Sequence, residues 1–134
     1  MILATLRQLA RDSMGVYLQA AASETAIQRM QEAARKDLGE PVPEEYSEFL
    51  RFSNGAQING AYCESAEHLV PDNLDVLRPE IILLGNEGNV AEFVFDRRDR
   101  KFHTIHMGFP DERYASFETF AEMLTAVLHE QQTL

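Results

Sequence analysis

The chain opens with apolar residues at helical spacing. Leu3, Leu6, Ala10, Met14 and Tyr17 would share one face of an amphipathic helix broken near Gly15. A second helix is predicted behind Ser23, a hydroxyl residue suited to N-capping, with Ile27, Met30, Ala34 and Leu38 facing inward until Gly39. A third follows in "PVPEEYSEFLRFSNG". Pro43 suits a first helical turn, because its missing N–H costs nothing there, and Glu44 and Glu45 lie at the positive end of the helix dipole. Tyr46, Phe49, Leu50 and Ser53 line one face, and Asn54–Gly55 reads as a helix stop in the left-handed conformation.

The pattern then changes. Asn59–Gly60 is a hairpin turn signal, and "AYCESAEHLVP" reads as one or two short strands before a capped helical turn near Asp72. "EIILLG" is a short apolar run of the length of a buried strand, and "NEGN" a Gly-containing turn. "AEFVFD" and "KFHTIHM", rich in aromatic and β-branched residues, predict a hairpin around "RRDR". Ser116 would cap a closing helix whose stripe is Phe117, Phe120, Ala121, Leu124, Val127 and Leu128. Helices, then adjacent strands, then a long C-terminal helix define an α+β fold with an antiparallel sheet of about four to six strands. The expected organisation is one domain over 1–134, with residues 1–22 as an N-terminal helical extension.

Charge narrows the function. Against 12 basic residues stand 22 acidic ones, a formal charge of −10, which phosphate backbones would repel and a basic protein would be steered towards. Nucleic acid is therefore not an expected partner. The alternative reading is that the acidity only keeps the protein soluble. The single cysteine, Cys63, forms no internal disulfide, which fits a reducing cytoplasm. No apolar stretch has the length of a membrane span, and Arg7, Arg11 and Asp12 make the N-terminus a poor signal peptide.

Catalytic patterns are sparse. His103 and His106 are spaced as HxxH, but on a strand a spacing of three points them to opposite faces, so no metal site is expected. His68 and His129 are isolated, and neither HExxH nor CxxC occurs. The serines lie in no nucleophile-elbow motif, and "GNEGN" lacks the Lys-Ser/Thr ending of a phosphate loop. "RRDRK" reads as a solvated hairpin tip. No cofactor is expected. A small enzyme or metal protein built on His103, His106 or Cys63 is the least favoured reading.

Three segments in order resemble the SUKH superfamily, which includes bacterial immunity proteins and fungal cell-wall-assembly regulators. In the first, Pro43, Tyr46, Phe49, Leu50, Asn54 and Gly55 match a Leu-Pro-x-x-Tyr-x-x-Phe-Leu-x-x-x-Asn-Gly motif, with Val42 in place of its Leu. In the second, "IILLGNEGNVAEFVFD", Gly85, Gly88 and Asp96 match a strand, a Gly-rich turn and a strand ending in Asp. In the third, Ser116, Phe117 and Phe120 match a closing Ser-Phe-x-x-Phe-Leu helix, with Ala121 where Leu is common. The resemblance spans about residues 24–130 and assigns these positions to the scaffold. It implies a non-catalytic binding module, an immunity protein that neutralises a toxin, often a nuclease. The expected partner is a protein, for instance a basic toxin domain, met by Glu44, Glu45, Glu48, Glu87, Glu92, Asp111 and Glu112. The alternative is a regulatory or scaffold protein of the same fold with a housekeeping partner.

Overall fold

The computed structural model describes residues 2–12, 15–88 and 90–132. Its elements are α1 (Ile2–Arg11), β1 (Val16–Leu18), α2 (Glu24–Ala33) continued by a π-helical turn (Ala34–Leu38), α3 (Glu44–Phe52), β2 (Ala56–Ile58), β3 (Ala61–Cys63), α4 (Leu69–Val76), β4 (Ile81–Glu87), β5 (Ala91–Asp96), β6 (Lys101–His106), β7 (Phe109–Phe117) and α5 (Phe120–Gln132). All seven strands form one antiparallel sheet in sequence order, β1 to β7. The fold is α+β, with more strands than the four to six expected. β1, β2 and β3 have three residues each, too few to display a period in sequence.

The predicted first helix stops at Arg11, and Met14 lies outside the described residues. Gly15, at φ +81°, turns the chain into β1, where Val16 is buried and Tyr17 exposed. Residues 16–18 are thus an edge strand of the sheet and not part of a helical extension. Ser23 caps α2 as predicted, its Oγ accepting from the Ala26 N–H at 3.0 Å. Ser116 does not cap α5. It lies in β7 opposite His103, and Phe117 ends that strand opposite Phe102. The cap is Thr119, whose Oγ1 accepts from the Glu122 N–H and donates to the Glu122 carboxylate, both at 3.1 Å.

One face of the sheet carries the main core. Ile82, Phe93, Phe95 and Phe102 point towards the helices and meet Tyr46, Phe49 and Leu50 of α3 and Phe120, Leu124 and Leu128 of α5. Phe120 is the hub: its ring centroid lies 5.0 Å from Tyr46, 5.4 Å from Phe49 and 5.9 Å from Phe102. Each such ring contributes roughly 1.5–3 kcal/mol by leaving water. The Tyr46 hydroxyl, fully buried, donates to the carbonyls of Glu64 (2.6 Å) and Leu84 (3.1 Å) and so ties α3 to the end of β3 and to β4. Glu45 also serves the scaffold, its Oε1 accepting from the Phe120 N–H at 2.9 Å at the start of α5.

The Asn54–Gly55 stop works differently from a left-handed C-cap. The C-cap of α3 is Ser53 in extended conformation, and only Gly55 takes positive φ, at +88°. The Asn54 side chain accepts from the Ala66 N–H (2.8 Å) and donates to Glu67, stapling the two loops together. At Gly85 the reason for glycine is contact: a Cβ there would lie 2.1 Å from the Tyr62 carbonyl oxygen. Gly88 takes φ +54° in the turn after β4.

Candidate protein-binding surface

The opposite face of the sheet holds a small apolar cluster (Ile81, Leu83, Val94 and Ile105 beneath Val76 of α4) and a network of charges. Register places Asp96 and His103 on this face. Asp96 is 1% exposed. Its carboxylate accepts from the Arg98 N–H (2.8 Å) and from the guanidinium groups of Arg98 (2.7 Å) and Arg113 (2.9 Å). Burial pushes its carboxyl up, but these donors together outweigh burial and hold it at about 2. The aspartate at this strand end thus organises the 97–100 turn. Glu92, expected on the binding surface, is buried on the same face. It pairs in bidentate fashion with Arg78 (2.6 and 2.7 Å) and accepts from the Gly108 N–H (2.9 Å). Burial raises its pKa, and the Arg78 and Gly108 donors reverse the shift to a net lowering. An acid this buried and held by three donors is out of a partner's reach, so Glu92 belongs to the scaffold.

Two arrangements here resemble chemical sites. The His103 ring bridges Ser116 Oγ (Nδ1, 2.7 Å) and Asp99 Oδ2 (Nε2, 2.8 Å). The ring is 1% exposed, and acid–base work on a leaving group requires access to it. Ligand atoms of Asp96, Asp99 and His103 lie within 4.8 Å of one another, but a cation there would have to displace the guanidinium groups of Arg98 and Arg113. Cys63 is buried, and burial, followed by the nearby Glu64, pushes its thiol up to about 12, far from a reactive thiolate. The arginines of the "RRDR" turn are engaged with the chain itself: Arg97 donates to the Leu38 carbonyl, Arg98 to Asp96, and Arg100 to Glu40.

On the helical side, Glu44 and Glu48 are exposed on α3, but both contact Arg51 at 2.9 Å, as Glu24 does at 3.0 Å. Asp111 reaches the charge network on the other face through Arg98, at 2.9 Å. The seven acids predicted as one binding face are therefore dispersed. Glu45 and Glu92 are structural, Glu44 and Glu48 surround Arg51, Asp111 pairs with Arg98, and Glu87 and Glu112 remain, one in the β4–β7 row and one in the β7 bulge.

The Glu87 end of the sheet carries two exposed aromatics, Phe109 and Tyr114. Glu87, Ala91, His106 and Phe109 stand in one cross-strand row over β4 to β7, about 14 Å long at the usual strand spacing. Phe109 is 54% exposed, Tyr114 58% and, beside the row, Val90 61%. His106 orders them: its Nδ1 lies 2.7 Å from the Tyr114 hydroxyl, and its ring centre lies 5.2 Å from that of Phe109. The register slips between Ile105 and His106, so Pro110, Asp111 and Glu112 bulge from β7. Asp111, with its side chain 83% exposed, and Glu112 flank the aromatics. β7 is an edge of the sheet, and proline, charge and bulges blunt it against indiscriminate strand pairing. The sequence signal for this patch is "MGFPDERY", where two aromatics sit among turn residues and follow no periodicity.

Comparison of the chain with models of known protein families and with curated proteins gives no match. Fold and surface together define a class: a single antiparallel sheet layered with helices, presenting an aromatic patch with an acidic margin.

Proposed function

We propose that this chain is a non-catalytic, cytoplasmic binding module that holds a basic protein on the patch around Phe109 and Tyr114. The partner class we favour is a toxin domain, and the role is that of an immunity protein. The observation that carries the reading is that half-exposed Phe109 and Tyr114 bracket the acidic bulge of β7, in a cross-strand row that ends on Glu87, on a chain of net charge −10. Aromatic side chains are over-represented among residues that dominate interface energies, and an acidic margin accelerates association with a basic surface. Nuclease toxins are basic where they hold nucleic acid, and an acidic patch is complementary to such a site. The three SUKH-like segments support the immunity role, and the chain's own charge disfavours a second copy as occupant.

The test is photo-crosslinking from position 114 in the native host, with the wild type, Phe109→Ala, and Asp111→Lys/Glu112→Lys compared. The expected result is one captured basic protein, lost in Phe109→Ala. The double reversal should slow its association at least tenfold at low salt, whereas Glu44→Lys/Glu48→Lys should not. Toxicity of that protein in cells lacking this chain, relieved by co-expression, would establish immunity. A harmless captured protein would move the role to a regulatory or scaffold partner. An acidic captured protein, or an association rate indifferent to both pairs of reversals, would overturn the charge-guided reading.

A further inference from the structure

A cleft of about 180 Å³ lies between the π-helical turn, the end of α4 and the start of β4. Leu38, Leu74, Leu77, Pro79 and Ile81 form its apolar wall, and Arg97 brings a cation to it. The wall is preformed. The Asn73 side chain fixes the second turn of α4 through bonds of 2.7, 2.8 and 2.9 Å, and the bidentate Arg78–Glu92 pair fixes the chain just beyond Leu77.

Two backbone irregularities border the same cleft. Residues 34–38 form the π-helical turn, a conformation that recurs at functional sites. Leu77 ends α4 at φ +51°, where a bulky residue is strained and glycine would not be. It is also 76% exposed, so core packing does not explain the leucine. Its place on the cleft wall does, because such strain persists where a ligand uses the side chain.

Arg97 is the least compensated cation of this region. Its Nη1 donates to the Leu38 carbonyl, whereas its Nε is buried with no hydrogen-bond partner. The Glu40 carboxylate stands 3.9 Å from that Nε and is held by Arg100 at 2.8 Å. Arg78, the other cation of the lining, is already bound to Glu92. Asp37, the one acid among the lining residues, is exposed, so water screens it.

We propose that this cleft binds a small organic carboxylate with an apolar body, its charge on the Arg97 guanidinium and its body against the leucines, Pro79 and Ile81. An apolar cavity of about 150 Å³ holds one benzene ring, so this cleft has room for a ring bearing one carboxylate. The ligand supplies the charged acceptor that the guanidinium lacks. The site is separate from the protein-binding patch: Ile81 and Arg97 lie at the open end of the β4–β5 pair, away from Glu87 and Ala91.

The experiment is an amide NMR titration of the whole chain with benzoate and its isosteres benzamide and benzylamine. Benzoate should saturate shift changes at Leu38, Leu74, Leu77 and Ile81 with a Kd of about 1 mM or tighter. Benzamide should bind about tenfold more weakly and benzylamine not at all. Arg97→Gln should weaken benzoate about tenfold and leave benzamide within about threefold, a split that a purely structural Arg97 would not produce. Leu74→Trp, which fills the cleft, should abolish binding of both and keeps the test decisive if the Arg97 variant misfolds. Shift changes confined to other residues, no saturation by about 10 mM, or equal affinity for benzoate and benzamide would each overturn the proposal.

Discussion

Asn73→Ala should be among the most damaging single substitutions in this protein, although nothing in the sequence marks the residue. The register of β4 slips between Leu83 and Gly85, skipping Leu84, and pairing with β3 reaches only as far as Gly85; beyond it the Leu83 N–H and C=O meet the Asn73 side chain. The Asn73 amide serves both: its Oδ1 accepts from the Leu83 N–H at 2.7 Å, and its Nδ2 donates to the Leu83 carbonyl at 2.9 Å and to the Leu69 carbonyl at 2.8 Å. The site is buried, with Asn73 5% exposed. Alanine would strand the two Leu83 groups at about 1–3 kcal/mol each, so the loss should be roughly 2–6 kcal/mol. For 134 residues the unfolding entropy is roughly 0.3 kcal/mol/K, so a 3 kcal/mol loss lowers Tm by about 10 °C. Urea denaturation followed by circular dichroism gives the free energy directly. Asp75→Ala, an exposed change one turn-step along the same helix, serves as control and should stay within about 0.5 kcal/mol of wild type. Asn73→Asp tests the chemistry: it keeps the acceptor, loses the donor and should also destabilise. An Asn73→Ala protein as stable as the control would refute the account of the bulge.

Two further outcomes follow from buried polar groups. Tyr46→Phe keeps the ring and removes only the hydroxyl that donates to the Glu64 and Leu84 carbonyls, so it should cost about 1–3 kcal/mol in the same urea assay, and a neutral result would mean those carbonyls find other donors. Asp96 has a folded-state pKa of about 2 against an ordinary 3.8; its contribution is present above the ordinary value and is lost as pH falls through 2, so wild type should lose stability between pH 4 and 2 more steeply than Asp96→Asn, and equal slopes would show that Arg98 and Arg113 do not hold that carboxylate.

What was legible in the sequence depended on how local the cause was. Ser23 caps α2 through a hydrogen bond to a residue three positions on, and Tyr46, Phe49 and Leu50 face the core at helical spacing; both follow from nearest-neighbour geometry. The "RRDR" hairpin was readable for the same reason, as a polar interruption between two apolar strands. Ser116 was misplaced because serine caps helices and also lies in strands, and Thr119, three residues further on, does the capping. β3 was readable in "AYC" after the Asn59–Gly60 turn, whereas β1 and β2 escaped because three residues show no period and β1 pairs with a partner 42 positions away, Val16 with Ile58. Asn73 was silent because its role arises from a strand and a helix that meet only in three dimensions.

The acids show the same limit, and sorting them bears on function. Sequence counts Glu92 and Glu112 alike, yet one is bound to Arg78 inside the sheet and the other stands in the bulge of β7. Seven of the 12 basic residues (Arg51, Arg78, Arg97, Arg98, Arg100, Lys101 and Arg113) make ion pairs with the chain's own carboxylates. Cations engaged in this way project little field outward, so the surplus of ten negative charges falls to the exterior. A surplus serving solubility alone would need no particular neighbour. Here part of it borders Phe109 and Tyr114, where an approaching basic surface would find charge to slow its escape and aromatic area to bury. Reversal at Asp111 and Glu112, which the proposed function expects to weaken binding, should therefore cost little stability beyond the exposed Asp111–Arg98 pair, whereas charge removal at Glu92 should unsettle the sheet itself.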